Sequence, residues 1–441
     1  MAARAPKTRP LRADLVDAVV LEVYGLVHEQ GWLADRALER VLRREHRLFA
    51  AERRAAAEAL YGLVRWQGQI EWLLGPAGPR ALPAARYALF LARFGGVAPG
   101  AAARRLGAPR EALAALEGAD ARIAAVADPV ERFAVEESLP RWIAGRFAAE
   151  LGLPEAKALA RAMNQRAPVT VRANLLKTTR EELRERLATE GVASEPTSHS
   201  PWGLVLDGGA NAFALRSFRS GLFEMQDEGS QLVALACAAR PGHRVVDACA
   251  GAGCKSLALA MEMRNKGDLH ALDSDAGRLD EARRRARRAG VHNLRARAIP
   301  AGPEAAQAIA DLAGQADRVL VDAPCSGLGT LRRKPDARWR LQPGDPERFA
   351  ATQKQLAARF APLVKPGGRL VYATCAVGRA ENEEVAAFVL AEVPGLAPFP
   401  LAAALGEDLA RSLGAQGHTL TLHPHRHGTD GFFIAAFERA R

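Results

Sequence analysis

Sulfur is scarce in this chain and so are large rings: five cysteines, five methionines, six tryptophans and four tyrosines stand among 441 residues. Five cysteines in so long a chain, with no export signal, do not make a disulfide framework, so reduced thiols are expected, some of them reactive. Long apolar runs are missing too. The longest early one, LVDAVVLEVYGLV at 15–27, is interrupted by Asp17 and Glu22; it reads as an amphipathic helix and as neither a signal peptide nor a membrane span. A cytoplasmic protein with no membrane partner is the expectation. There is no low-complexity tract and no repeat at solenoid spacing. Acidic side chains are outnumbered, 50 Asp and Glu against 61 Lys and Arg, for a formal charge of +11. A polyanionic partner and an arginine-rich solvated surface both account for that surplus, and only its location decides between them.

What is present is order of three kinds, and the length suits two or three domains. Residues 1 to about 140 read as helix after helix. Leu15, Val19, Val23 and Leu26 share one face, followed by Leu38, Val41 and Leu42 and then Leu60, Leu63 and Val64. Breakers at Gly75–Gly78, Gly95–Gly100 and Asp128–Pro129 separate these helices. Arg43, Arg44, Arg53, Arg54, Arg104 and Arg105 lie here, and a solvated helix surface is the first reading for most of them. From 141 to 230 a small α+β module is expected: PVTVRANLL (168–176) alternates like a strand, Thr178 and Glu181 are spaced as a capping box, and GLVLDG (203–208) returns to strand. From 231 to 441 strand, turn and helix alternate five times, from HRVVDA through DLHALD, LRARAI and DRVLVDAPC to GGRLVYATC, with GHTLTLHP and GFFIAAFER to close. That pattern predicts an α/β, doubly wound, mainly parallel sheet with helices on both faces.

In such sheets ligands sit beyond the carboxyl ends of the strands. The first strand runs into DACAGAGCKS (247–256), where Gly251 and Gly253 permit a tight turn before a helix. Asp273 ends the second strand about twenty residues on, where an acid can take both ribose hydroxyls. A dinucleotide and S-adenosylmethionine both suit that spacing.

The last two parallel strands end in VDAPC and VYATC, and adjacent strands lie about 4.8 Å apart, so Cys325 and Cys375 are expected as neighbours on the ligand-bearing rim. One cysteine there is explained as apolar filling; two at equivalent strand ends argue for chemistry. Cys237, in LVALACAA, reads as core. HPHRH (423–427) with Asp430 lacks the spacing of a tetrahedral site, and no metal is expected.

VRANLL (171–176), FEMQDEGSQL (223–232), DACAGAGCKS, ALDSDAGRL (271–279), VDAPCSGLGTLRRKPDARW (321–339), GGRLVYATC with ENEE (381–384), and the terminal DGFF (430–433) together resemble the Sun (Fmu) type of RNA cytosine-5 methyltransferases. The bacterial ribosomal members of that family join an N-terminal NusB-like helical domain to a Rossmann-like class I methyltransferase domain. The resemblance implies S-adenosyl-L-methionine as cofactor, held by Ala248, Cys249, Ala250, Gly251, Gly253, Lys255, Asp273, Arg278 and Asp322. It implies Cys375 as the nucleophile that adds to cytosine C6, Cys325 as its release partner, and Asp322 as the acid facing N3 and the exocyclic amine. RNA, ribosomal above all, is the implied partner of a monomer, met by Arg332, Arg333, Lys334, Arg338 and Trp339 after the fourth parallel strand and by Arg172 in the middle module. The chain departs from the family at Cys254, where glycine is usual, and after LRARAI, where an acid is usual. Those departures keep a weakened RNA-binding or ribosome-assembly protein as a second reading, with transfer-RNA methylation as a third.

Overall fold

The computed structural model describes residues 11–207, 211–302 and 304–441, so Gly208, the end of the expected strand GLVLDG, lies outside the described residues. The chain divides into two compact units, one of residues 1–164 with 333–342, the other of 165–332 with 343–441. Among the described residues no helix is long and apolar enough to cross a membrane.

The first unit is helical. Its longest members are Ala13–His28, Ala50–Leu74 and Leu153–Asn164, and the expected faces form one core around Val19, Val23, Leu60, Leu63 and Val64. Asp17, which interrupts the early apolar run, is itself buried; it accepts from Tyr87 Oη at 3.0 Å and pairs with Arg105 at 2.5 Å, as a buried carboxylate must. Helices Arg141–Leu151 and Leu153–Asn164 continue the pattern past the boundary expected at 140. The decapeptide 333–342, far away in sequence, belongs to this unit as well.

The second unit begins with an antiparallel sheet of β1 (Val169–Ala173), β2 (Ser194–Pro196), β3 (Gly203–Leu206) and β4 (Phe223–Met225), in the order β2-β3-β1-β4. The helix Arg180–Thr189 covers it through Leu183 and Leu187. Its capping box is Thr179 with Glu182, one residue beyond the expected Thr178 and Glu181, because Glu182 is the side chain that reaches the Thr179 N–H, at 2.9 Å.

The main sheet comprises β5 (Arg244–Asp247), β6 (Asp268–Asp273), β7 (Leu294–Ala298), β8 (Ala316–Asp322), β9 (Val364–Thr374), β10 (Leu396–Pro398), β11 (Thr419–Leu422) and β12 (Phe432–Arg439). Strands β7-β6-β5-β8-β9 are parallel neighbours, β12 adds antiparallel to β9, and β10 and β11 pair with β12. Alternating residues feed two cores: Val245, Leu320 and Val371 enter one face, Val246, Val319, Val321 and Tyr372 the other. Strand order reverses at β5, which lies between β6 and β8, and that is where a doubly wound sheet opens its binding crevice.

Candidate active site

Strands β8 and β9 run in register to Asp322 opposite Ala373. The two chains then leave the sheet on the same rim, and the sulfurs of Cys325 and Cys375 come to 3.3 Å. The contact with Cys375, together with burial, pushes the Cys325 thiol well above its ordinary range. Asp322 ends β8 with Oδ2 accepting from Lys255 Nζ at 2.7 Å. Burial opposes the Lys255 ammonium, but Asp322 beside it more than offsets this and raises its affinity for the proton. Phe432 lies under that ammonium, 5.3 Å away.

Each cysteine is gripped by the residues flanking it. Before Cys325, the Pro324 carbonyl accepts from Gln353 Nε2 at 3.0 Å; after it, Ser326 donates from its N–H at 2.8 Å and its hydroxyl at 2.5 Å to the two carboxylate oxygens of Glu381. Gln353 also donates to Glu381, at 3.1 Å, and takes a hydrogen bond from Tyr372 Oη at 3.0 Å. Around Cys375, the Thr374 hydroxyl donates to Asn382 Oδ1 at 2.6 Å, and Asn382 Nδ2 donates to the Ala376 carbonyl at 3.3 Å. Arg332, seven residues after Cys325, pairs with Asp430 and, at 3.4 Å, with Asp227. The Asp430 N–H donates to Asp227 at 3.1 Å, so pieces of FEMQDEGSQL, LRRKP and DGFF meet in one buried cluster.

At the switch point, β5 ends in Asp247 and the turn 248–253 leads into the helix Cys254–Glu262. Asp273, at the end of β6, accepts from the Gly251 N–H at 2.8 Å and from the Asp275 N–H at 2.9 Å, one on each oxygen. Gly253 has φ of 81° and faces Ala282, whose Cβ would lie 2.8 Å from an added methyl. Arg285 donates to the Ala252 carbonyl at 3.1 Å and, like Arg288, pairs with the buried Glu224. The arginine-rich helix Ala276–Ala289 that carries both side chains is therefore partly a brace for the turn. Cys254 turns its thiol to the Met225 carbonyl, 3.6 Å away, at the end of β4. Arg278 is exposed and sits by Asp275 at 3.5 Å.

Several residues expected on RNA are engaged within the fold. Arg172 is 1% exposed, with Nε bonded to Gln226 at 2.6 Å. Arg332 is buried against Asp430 and Asp227. Arg338 is 0% exposed and donates to the Ser138 carbonyl at 3.1 Å and to Asn164 Oδ1 at 2.9 Å. Trp339 donates its indole N–H to the Val64 carbonyl at 2.7 Å and packs on the helical core. Their charge or ring is consumed by internal partners, which corrects the expectation that they face a phosphate or a base. Arg333 is half-buried and Lys334 is exposed. Glu381, Asn382, Gln353, Asp227 and Asp247 carried no expected role, although all but Gln353 lie in stretches that carry the resemblance: ENEE, FEMQDEGSQL and DACAGAGCKS. Asp430, weighed beside HPHRH as a metal ligand, is instead the partner of Arg332, while His427 Nδ1 accepts from the His423 N–H at 2.9 Å.

The family model described as 16S rRNA methyltransferase RsmB/F matches residues 234–438, and that of the RsmF/B-like ferredoxin-like domain matches 139–212. The chain is 37% identical over 316 residues to the "Probable ribosomal RNA small subunit methyltransferase B" of Bacillus subtilis, spanning 71% of this chain and 69% of that one. It is 33% identical over 284 residues to the "28S rRNA (cytosine-C(5))-methyltransferase" of Mus musculus, over 62% of this chain and 35% of the mouse protein. The crystal structure of PH0851 matches with a TM-score of 0.79 at 26% identity, over 98% of this chain and all of that one.

Proposed function

The chain belongs to the Sun/Fmu-type family of ribosomal RNA cytosine-5 methyltransferases and is an RNA methyltransferase, and from that membership we propose that it methylates C5 of a cytosine in small-subunit ribosomal RNA. The methyl donor in this reading is S-adenosyl-L-methionine and the route is a covalent bond between Cys375 and C6. The observation that carries it is the pair of sulfurs 3.3 Å apart on the rim where Lys255 and Asp322 meet.

The turn after β5 suits that donor on three grounds. No atom lies within 4 Å of a Cβ built on Gly251, which leaves room for a ligand against the backbone. Each oxygen of Asp273 accepts one N–H and keeps a lone pair for a ribose hydroxyl. Oδ1 of the buried Asp247 has no partner among the described residues. The bound donor would supply an electrophilic methyl on a sulfonium.

Cytosine C5 is a poor nucleophile until a group adds at C6, and a thiolate is suited to that addition. The Lys255 ammonium, close enough to act electrostatically on Cys375, favours the thiolate there. When Cys375 adds to C6, the electron pair of the 5,6 bond moves to C5, which takes the methyl. The C5 proton is then lost to water and the C6–sulfur bond breaks, restoring the 5,6 double bond. Cys375 leaves as the thiolate, with the Cys325 thiol, 3.3 Å away, as its hydrogen-bond donor. Asp322 faces N3 and the exocyclic amine through Oδ1, because Lys255 already holds Oδ2. The target base must be unstacked for any of this to occur.

Incubation of the purified chain with small-subunit ribosomal RNA and labelled S-adenosyl-L-methionine tests the reading. Cys375→Ala is expected to abolish methylation, and Cys325→Ala to leave a covalent protein–RNA species on a denaturing gel. Exchange of the two outcomes would reverse the roles. No label in this RNA but label in transfer RNA would move the substrate, and absence of donor binding by calorimetry would remove the activity.

A further inference from the structure

We propose that the adjacent side chains Glu381 and Asn382 are positioning residues that divide the two thiols between them, Glu381 fixing the release cysteine and Asn382 the attacking one. This rests on the covalent reading given above. The geometry has the same form twice: each side chain acts on residues flanking a cysteine. Glu381 takes both donors of Ser326 directly and reaches Pro324 through Gln353. Asn382 takes the Thr374 hydroxyl and donates to Ala376. Both are 1% exposed, and both precede the helix Glu383–Glu392, so one short segment after β9 sets the separation of the sulfurs.

The two clamps differ in charge, and that difference gives the thiols different work. The groups acting on Cys325 are Cys375 and Glu381, and Tyr372 nearby is also influenced by Asp322. The Glu381 anion disfavours a thiolate on Cys325, whereas Lys255 acts on Cys375. A carboxylate buried beside one thiol and a cation beside the other keep a proton on the releasing sulfur and off the attacking one. An amide at 381 could keep some of the hydrogen bonds but not this asymmetry.

Two readouts on the full chain separate a positioning role from a merely structural one. The first needs no RNA: iodoacetamide labelling resolved by peptide. Glu381→Gln is expected to speed Cys325 labelling at pH 8 about twofold to threefold, a fraction of one unit of acidity because the Cys375 contact and burial act more strongly on this thiol, while Glu381→Asp, which keeps the charge and shortens the reach, labels at the wild-type rate. The second is the covalent species on a denaturing gel. Both Glu381 variants should accumulate it with Cys325 intact, because release slows, whereas Asn382→Ala should lower it at least about tenfold in a Cys325→Ala chain, because attack fails. Unchanged Cys325 labelling in Glu381→Gln, or loss of the species in the Glu381 variants as in Asn382→Ala, overturns the proposal. If Glu381→Gln does not fold, Glu381→Asp decides: wild-type labelling with an accumulated species supports the clamp, and any other result overturns it. If Cys325→Ala alone gives no covalent species, the covalent reading has failed, and the labelling arm then decides for or against the clamp.

Discussion

Asp247 is a buried carboxyl group whose side chain takes, among the described residues, one hydrogen bond, from the Ser256 hydroxyl at 2.6 Å. Burial pushes it up to about 7 from an ordinary 3.8. The folded chain therefore binds more protons than the unfolded one between those values, and stability must fall as pH rises across that window. The contribution is complete below about 4 and lost above about 7. Asp247→Asn keeps the shape and removes the titration, so the urea midpoint of the variant should vary less between pH 5 and pH 8 than that of the parent. A donor ligand with a cationic group near Oδ1 would hold the anion, so the pH dependence should also shrink when S-adenosyl-L-methionine is present. Lys255 makes the complementary case. Its replacement by Met leaves Asp322 half-buried without its partner, and a loss of about 2 kcal/mol in stability should accompany a loss of methylation larger than the loss of folded protein. Equal losses would mean that the pair only supports the fold.

At the scale of elements, the positions of the cysteines depend on how two loops abut. The Gly329 N–H donates to the Cys375 carbonyl at 2.9 Å, and the Gly431 N–H donates to the Gly329 carbonyl at 2.9 Å. A methyl on Gly329 would stand 2.8 Å from the Cys375 carbonyl oxygen, and that neighbour is backbone, which cannot swing aside. Gly329→Ala is expected to cost about 1–3 kcal/mol and to displace the Cys375 loop, so that methylation falls further than thermal stability does. A variant as active as the parent would show that the loop tolerates the shift. The strands and the meeting of Cys325 with Cys375 were legible because a period of two and parallel pairing depend on local sequence and elementary geometry. The grip on those cysteines was not. Glu381 reaches Ser326 across 55 positions and Asp430 reaches Arg332 across 98, and nothing near either residue announces its partner. The capping box slipped by one for a related reason: adjacent threonines and adjacent glutamates offer two registers of equal spacing, and only the first turn of the folded helix selects Thr179 with Glu182.

Over the whole molecule, a net charge of +11 overstates what is offered to a polyanion. Arg105, Arg285, Arg288 and Arg332 each face a buried carboxylate inside the fold, and Arg338 is buried and donates to two neutral oxygens, the Ser138 carbonyl and Asn164 Oδ1. A charge held by an internal partner releases no counterion when RNA arrives, and counterion release is what sets the salt dependence of binding. The decapeptide 333–342 divides along that line. Arg338 and Trp339 serve the helical unit, where Gly68 leaves space for the indole; a Cβ there would come 3.2 Å from its Cζ3. Lys334 is exposed. Trp339→Ala should therefore destabilise the helical unit by about 3 kcal/mol, visible as faster amide exchange around Val64, while the slope of log affinity for RNA against log salt stays at the parent value. Lys334→Ala should leave amide exchange unchanged and reduce that slope by about one. A fall in RNA affinity for Trp339→Ala, or a fall in slope for Arg338→Ala, with the helical unit as stable as before, would return those residues to the RNA surface.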